Sequence, residues 1–246
     1  MMAFDSTLHW IYVACMAAGA LIFWLWSRSP RGVPQYEYLV AMFIPIWSGI
    51  AYMAMAFDQG KTEVAGQITH YARYADWVVT TPLLLLALGL TAMFRLERKD
   101  KTLLAALVGA DVVMILCGLV ADLSPYPIRY VYYWIGVAAL GVIFWISWVP
   151  LARLADSQGP AVGGAYRRVA TLLTVLWIGY PLGWILGPSG IRLFGQEVDT
   201  LWFVVLPILS KVGFSLYDLS ELRKLEGEGI QAGHSRAALD AAAVPA

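Results

Sequence analysis

The chain has 246 residues, 60% of them hydrophobic and 14% charged, and its mean hydropathy is +0.66. That balance excludes an ordinary water-soluble globular domain, and a formal net charge of zero gives no sign of a nucleic-acid partner. The two cysteines, Cys15 and Cys117, both lie in apolar runs; they exclude a disulfide framework and show no metal-ligand spacing.

Seven apolar stretches reach the roughly 20 residues needed to cross a bilayer. In chain order they cover 8–27, 38–57, 71–94, 102–120, 130–149, 169–187 and 200–222. The first follows no basic leader region and no cleavage site, so it is expected to be retained. The connections carry turn and charge signals: Ser29-Pro30-Arg31-Gly32, Asp58-Gln59-Gly60-Lys61, Ser124-Pro125-Tyr126-Pro127 and Gly187-Pro188-Ser189-Gly190. No soluble domain fits between the spans. The predicted fold class is therefore all-α, a seven-transmembrane-helix bundle in contact with membrane lipid, multi-pass in the cell membrane. Residues 1–225 form that domain, and the Ala- and Gly-rich residues 226–246 are expected to be a disordered tail.

Basic residues set the expected orientation. Arg28, Arg31, Arg95, Arg98, Lys99, Lys101, Arg153, Arg167, Arg168, Arg223, Lys224 and Arg236 fall on one side, and Lys61, Arg129 and Arg192 on the other. The positive-inside rule makes the first group cytoplasmic, with the N-terminus extracellular and the C-terminus cytoplasmic.

Within the last span, Lys211 stands in the run from Leu201 to Leu216, where a cationic ammonium at bilayer depth costs on the order of 3 kcal/mol. Covalent use of the amine, as a Schiff base to an aldehyde, removes that cost, and a protonated imine calls for a carboxylate nearby. Asp76, in the third span, supplies one, and is expected to answer both Lys211 and Arg73. A buried lysine and a buried aspartate on different membrane helices point to a chromophore site. Arg73 lies one turn outside Asp76 and Thr80 one turn inside; Ala87 is eleven residues, about three turns, inward of Asp76. Asp218 lies seven residues inside Lys211, about 10 Å along the axis on nearly the same face. Each acid has a plainer alternative: Asp111 reads as a helix tie bonded to Thr81, and Asp218 as an interfacial residue. Trp77, Trp177, Tyr180 and Trp184 suit either ordinary packing or a flat conjugated ligand.

These residues resemble the microbial (type 1) rhodopsins over all seven spans. The motifs are Arg73-Tyr74-Ala75-Asp76-Trp77 with Thr80-Thr81-Pro82, Leu176-Trp177-Ile178-Gly179-Tyr180-Pro181 with Trp184, and Ser210-Lys211-Val212-Gly213-Phe214. Within that family the chain is similar to the xenorhodopsin group, which includes Anabaena sensory rhodopsin, from Arg31 to Tyr38, from Trp47 to Tyr52 and from His70 to Tyr74. The resemblance implies all-trans retinal bound as a Schiff base to Lys211, with Asp76 as counterion. It implies a pocket of Trp77, Thr81, Leu84, Met114, Gly118, Tyr133, Trp177, Tyr180, Trp184, Pro207 and Ser210. It matches Asp218 and Glu37 to cytoplasmic acids, and it implies a homotrimer.

Two positions depart from outward proton pumps. Pro207 stands where they carry a second counterion aspartate, and Ala87 where they carry a cytoplasmic donor. Some inward-pumping relatives carry a histidine where Ser48 stands; this chain's histidines are His9, His70 and His234, which counts against that version of the inward pathway but leaves the two departures above. The parts therefore favour proton movement toward the cytoplasm, with Asp76, Asp218, Arg73, Glu37 and Thr80 taking part and a return from outside past Asp199. A photochromic sensor acting through a soluble transducer is the alternative. An anion pump ranks last, because Asp76 repels chloride.

Overall fold

The structure is a computed structural model that describes residues 2–64 and 67–227. In a bilayer no water satisfies the backbone, so each apolar stretch closes its hydrogen bonds internally as a helix. Seven helices are long and apolar enough to span: α1 (Phe4–Ser27), α2 (Gln35–Ala56), α3 (Tyr71–Ala92), α4 (Lys101–Leu123), α5 (Ile128–Asp156), α6 (Pro160–Leu186) and α7 (Gln196–Gly227). The all-α bundle is as expected. The predicted tail lies outside the described residues from position 228 onward, and Arg236 with it.

Several helices run further than hydropathy indicated. α6 begins at Pro160 rather than near 169: its first turns are made of small and apolar residues, of which Val162, Gly163, Ala165 and Tyr166 are buried, and Arg167 with Arg168 separates them from the apolar run that follows. Tyr166 donates its hydroxyl to the Ser147 carbonyl at 2.6 Å, and Arg168 Nε donates to Glu221 at 2.9 Å. The two adjacent arginines end the apolar run, although the helix continues on both sides of them.

Successive helices pack as neighbours and α7 closes against α1. α3 is the innermost, with 67% of its apolar window buried against 17% for α4. The inner faces meet in one large core that includes Phe23, Ile44, Leu84, Leu88, Leu173 and Phe214.

The connection between α2 and α3 holds an antiparallel hairpin that hydropathy did not indicate, β1 (Thr62–Val64) paired with β2 (Gln67–Thr69). Three-residue strands are too short to announce themselves by alternation. The hairpin is anchored by Thr69, which donates to the Asp122 carbonyl on α4 at 3.2 Å.

Two local irregularities shape the interior. α5 has a π turn at Ser147–Leu151 around Pro150, and α7 has one at Leu209–Gly213, just after Pro207. A proline lacks the N–H that would reach back four residues, so Pro207 releases the Phe203 carbonyl from the helix ladder. That carbonyl accepts the Tyr52 hydroxyl of α2 at 2.5 Å. The π turn then widens α7 by one residue where Lys211 sits, a placement common at functional sites.

Gly60 precedes the hairpin with φ +69, and a Cβ there would lie 2.4 Å from Ala72 Cβ. Its carbonyl accepts from Ala72 N at 3.0 Å, joining the loop to the start of α3. Gly60→Val combines left-handed strain with that clash and should destabilise the fold by about 2 kcal/mol. Thermal unfolding in detergent, compared with Gln59→Ala, checks this; an unchanged midpoint would remove the steric argument.

Candidate functional site

Lys211 Nζ and the Asp76 carboxylate form an ion pair between α7 and α3, and both side chains are fully buried. Asp76 Oδ2 also accepts from Ser48 Oγ of α2 at 2.9 Å, and Oδ1 accepts from Thr80 Oγ1 one turn along α3 at 3.1 Å. Lys211 Nζ donates to Ser48 Oγ at 2.8 Å as well. An unshared charge here would be costly; paired and hydrogen-bonded, each group is compensated.

Arg73 differs from its expected partnership. Its Nη1 donates to Asp199 Oδ2 of α7 at 2.9 Å, and its guanidinium lies 4.8 Å from the Phe203 ring centroid. Its ion pair is thus with Asp199, leaving Asp76 to Lys211. Arg73 reaches away from Asp76 toward the first turn of α7, where Asp199 stands. Next to it His70, just before α3, has its pKa lowered to about 2, first by burial and then by the Arg73 charge.

On the other side of the ion pair, α3 offers Ala87, Leu84 and Leu88, all buried. Asp218 lies beyond them, 2% exposed, and accepts from Thr91 Oγ1 at 2.7 Å. Glu37 is also buried and lies within electrostatic reach of Asp218 and Lys99. Asp218 is therefore not a solvated interfacial acid; the helix face that carries it turns inward to α3. Asp111 accepts from Thr81 at 2.7 Å, which is the tie between α3 and α4 that the sequence suggested.

An apolar slot runs between α3, α4, α5, α6 and α7. Of the expected pocket residues, Trp77, Thr81, Met114, Gly118, Tyr133, Trp177, Tyr180 and Trp184 line it, joined by Tyr74, Ile115, Gly136, Val137, Leu140, Pro181 and Phe203. Trp77 meets Tyr180 edge-on at 5.3 Å, and Tyr133 stacks on Trp184 at 4.7 Å. Leu84, Pro207 and Ser210 do not line the slot. Leu84 packs into the main core, while Pro207 and Ser210 flank Lys211 on α7. Ser210 still touches the wall, through a 2.6 Å hydrogen bond between its hydroxyl and that of Tyr180.

Sequence reasoning left Tyr12 out of the site and gave Ser48 no contact there. Tyr12 of α1 is fully buried, with its hydroxyl 2.6 Å from Ser48 Oγ. The available signal was weak: one serine and one tyrosine inside long apolar runs. Tyr74 and Trp184 also converge on Asp122, each donating to its carboxylate at 2.8 Å.

Residues 3–225 match the model of the family described as bacteriorhodopsin-like protein. Archaerhodopsin-3 of Halorubrum sodomense is 37% identical over 77% of this chain and 73% of its own length. Sensory rhodopsin-2 of Natronomonas pharaonis is 31% identical over 96% and 95%. The crystal structure of a light-driven proton pump, Coccomyxa subellipsoidea rhodopsin, superposes with a TM-score of 0.79 at 32% identity, covering 88% of this chain and 96% of that one.

The family's retinal is held through a Schiff base to a lysine, and the residues here fit such a group. The slot is apolar and aromatic, as a polyene requires. Gly118 lets the Tyr74 ring pack close in the wall, since a Cβ there would come 3.0 Å from it. The lysine amine sits against a carboxylate. With fold, slot and lysine–aspartate pair in agreement with these similarities, the chain belongs to the bacteriorhodopsin-like family of microbial rhodopsins, multi-pass membrane retinal proteins that act as light-driven proton pumps or as sensors.

Proposed function

We propose that this chain is a retinal protein of the xenorhodopsin type that moves protons toward the cytoplasm when illuminated. The observation that carries this reading is the buried Asp218 carboxylate, bonded to Thr91 on the far side of Ala87 from Asp76. All-trans retinal on Lys211 supplies visible absorption and a photoisomerisation that loosens the hold on the nitrogen's proton. Asp76 keeps the negative charge facing the Lys211 nitrogen, with Ser48 and Thr80 donating to it. Pro207 cannot add a second carboxylate on α7, so the outer anionic trap is weaker than two acids would make it. Ala87 has no proton to donate from the inner side. Asp218 takes the proton released from the Lys211 nitrogen, with Glu37 nearby to share it. About 10 Å separate the two positions along α7, so water or a helix movement must bridge them. Arg73 and Asp199 admit the replacement proton from outside.

The direction assumes the orientation set by the basic residues, with Arg73 outside and Asp218 inside. Lipid surrounds the bundle in the cell membrane, and a homotrimer is the assembly that goes with this reading. The second reading is a photosensor with a soluble cytoplasmic transducer, favoured by the near full-length similarity to a sensory rhodopsin.

Lys211→Ala should give a folded membrane protein with no visible band after retinal is added; a band like that of the unmodified protein would end the lysine assignment. Asp76→Asn removes the anion that favours the protonated nitrogen and should shift the band to the red or, where the proton is lost at neutral pH, to the blue. Spectrophotometry between acid and alkaline pH distinguishes the two, and an unmoved spectrum would remove Asp76 as counterion.

Illuminated cells carrying the protein should make the medium more alkaline, and a protonophore should abolish the signal. Asp218→Asn should lower the initial rate at least about tenfold, the scale of a lost proton-transfer group. Acidification of the medium would refute the inward direction. No flux, together with light-dependent binding of a soluble protein, would move the assignment to the sensor.

A further inference from the structure

The Asp76–Lys211 pair has an arm that reaches α1. Tyr12 lies with its hydroxyl 2.6 Å from Ser48 Oγ and 3.5 Å from Lys211 Nζ. Its ring stacks on Tyr52, with centroids 3.6 Å apart and planes 18° apart. Tyr52 is itself held by its bond to the Phe203 carbonyl. Tyr12 is therefore locked in place by packing as well as by its hydroxyl.

Valence fixes the direction of each bond. An ammonium only donates and a carboxylate only accepts. Ser48 has one hydroxyl proton, and Asp76 Oδ2 at 2.9 Å takes it. The lone pairs of Ser48 then receive Lys211 Nζ at 2.8 Å and the Tyr12 hydroxyl at 2.6 Å. A directed chain runs from Tyr12 through Ser48 to one oxygen of Asp76, while Thr80 serves the other.

We propose that Tyr12 and Ser48 are positioning residues for the counterion: Ser48 donates to Asp76, and Tyr12, acting through Ser48, fixes the direction of that donation, so that together they hold Asp76 charged beside Lys211. This rests on Asp76 being the counterion but not on the direction of proton transport. Donors to an anionic carboxylate favour the charged form, and losing one favours protonation. The other titratable groups that feel the Asp76 charge are Lys211 from α7, Tyr52 from α2 and Tyr180 from α6. All of them remain when positions 12 and 48 are changed.

The test uses the full chain loaded with retinal and follows the acid-induced red shift that accompanies loss of the counterion's charge. Ser48→Ala should move its midpoint up by about one pH unit, a tenfold change in the proton concentration required. Tyr12→Phe should move it in the same direction by less. The double variant should go no further than Ser48→Ala, because Tyr12 acts through the missing hydroxyl. Ser48→Thr keeps the hydroxyl and should restore the original midpoint, which a purely steric role would not do.

A second readout needs no retinal. The infrared carbonyl band of protonated Asp76, identified by its absence in Asp76→Asn, should appear at higher pH in retinal-free Ser48→Ala than in the unmodified protein. An unchanged midpoint in Ser48→Ala, with Asp76→Asn still shifting the spectrum, would overturn this proposal alone. Additive shifts in the double variant would overturn the link between Tyr12 and Ser48. An unmoved spectrum in Asp76→Asn would overturn the counterion reading and this one with it.

Discussion

A lysine and an aspartate facing each other in the buried centre set the terms for the rest of this bundle. The Lys211–Asp76 pair is fully buried, where removing either partner would leave a charge that costs about 3–5 kcal/mol. The surrounding structure answers that cost in detail. Ser48 and Thr80 occupy both carboxylate oxygens. The π turn presents Lys211 toward α3, and Pro207 releases a carbonyl that ties α2 to α7 through Tyr52. The polar atoms near the pair are directed by one another, which is how a hydrogen-bonded network keeps a single arrangement in a medium of low dielectric.

The polar groups along the bundle fall into three levels, with apolar packing between the second and the third. Arg73 and Asp199 make one, Lys211 and Asp76 the second, and Asp218 with Thr91 the third. Ala87, Leu84 and Leu88 lie on α3 between the second layer and the third. A proton crossing such a barrier must wait for water or for a helix to move, because none of these side chains can carry it.

Pairing Arg73 with Asp199 instead of Asp76 also divides the electrostatic work. Asp199 neutralises the guanidinium at the Arg73 end, so Asp76 faces Lys211 as its own partner. The two long cationic side chains make this possible: Arg73 and Asp76 stand one turn apart on α3, whereas Asp199 and Lys211 stand more than three turns apart on α7.

Much of this was legible in the chain itself. The apolar spans, the anomalous Lys211 and the Asp76 motif follow from composition and from the cost of charge in lipid, a constraint strong enough to show in a single sequence. Eight of the wall residues implied by the family resemblance line the slot. The hairpin of β1 and β2 was hidden because its strands are too short to show a period, and the early start of α6 because Arg167 and Arg168 interrupt the apolar run.

Which helix face meets which neighbour was a different matter. The Asp199 partner of Arg73, the inward turn of Asp218 toward Thr91, the arm from Tyr12 through Ser48, and the displacement of Leu84, Pro207 and Ser210 from the slot appear only once helices are packed. Spacing along one helix defines its faces, but a hydrogen bond between helices depends on their relative height and rotation, and the proline and π turn in α7 alter both. The sequence by itself determined that a charged lysine lies within a seven-helix membrane bundle with an aspartate available to it; packing alone decided which side chains close around that pair, because contacts between separate helices have no period along the chain.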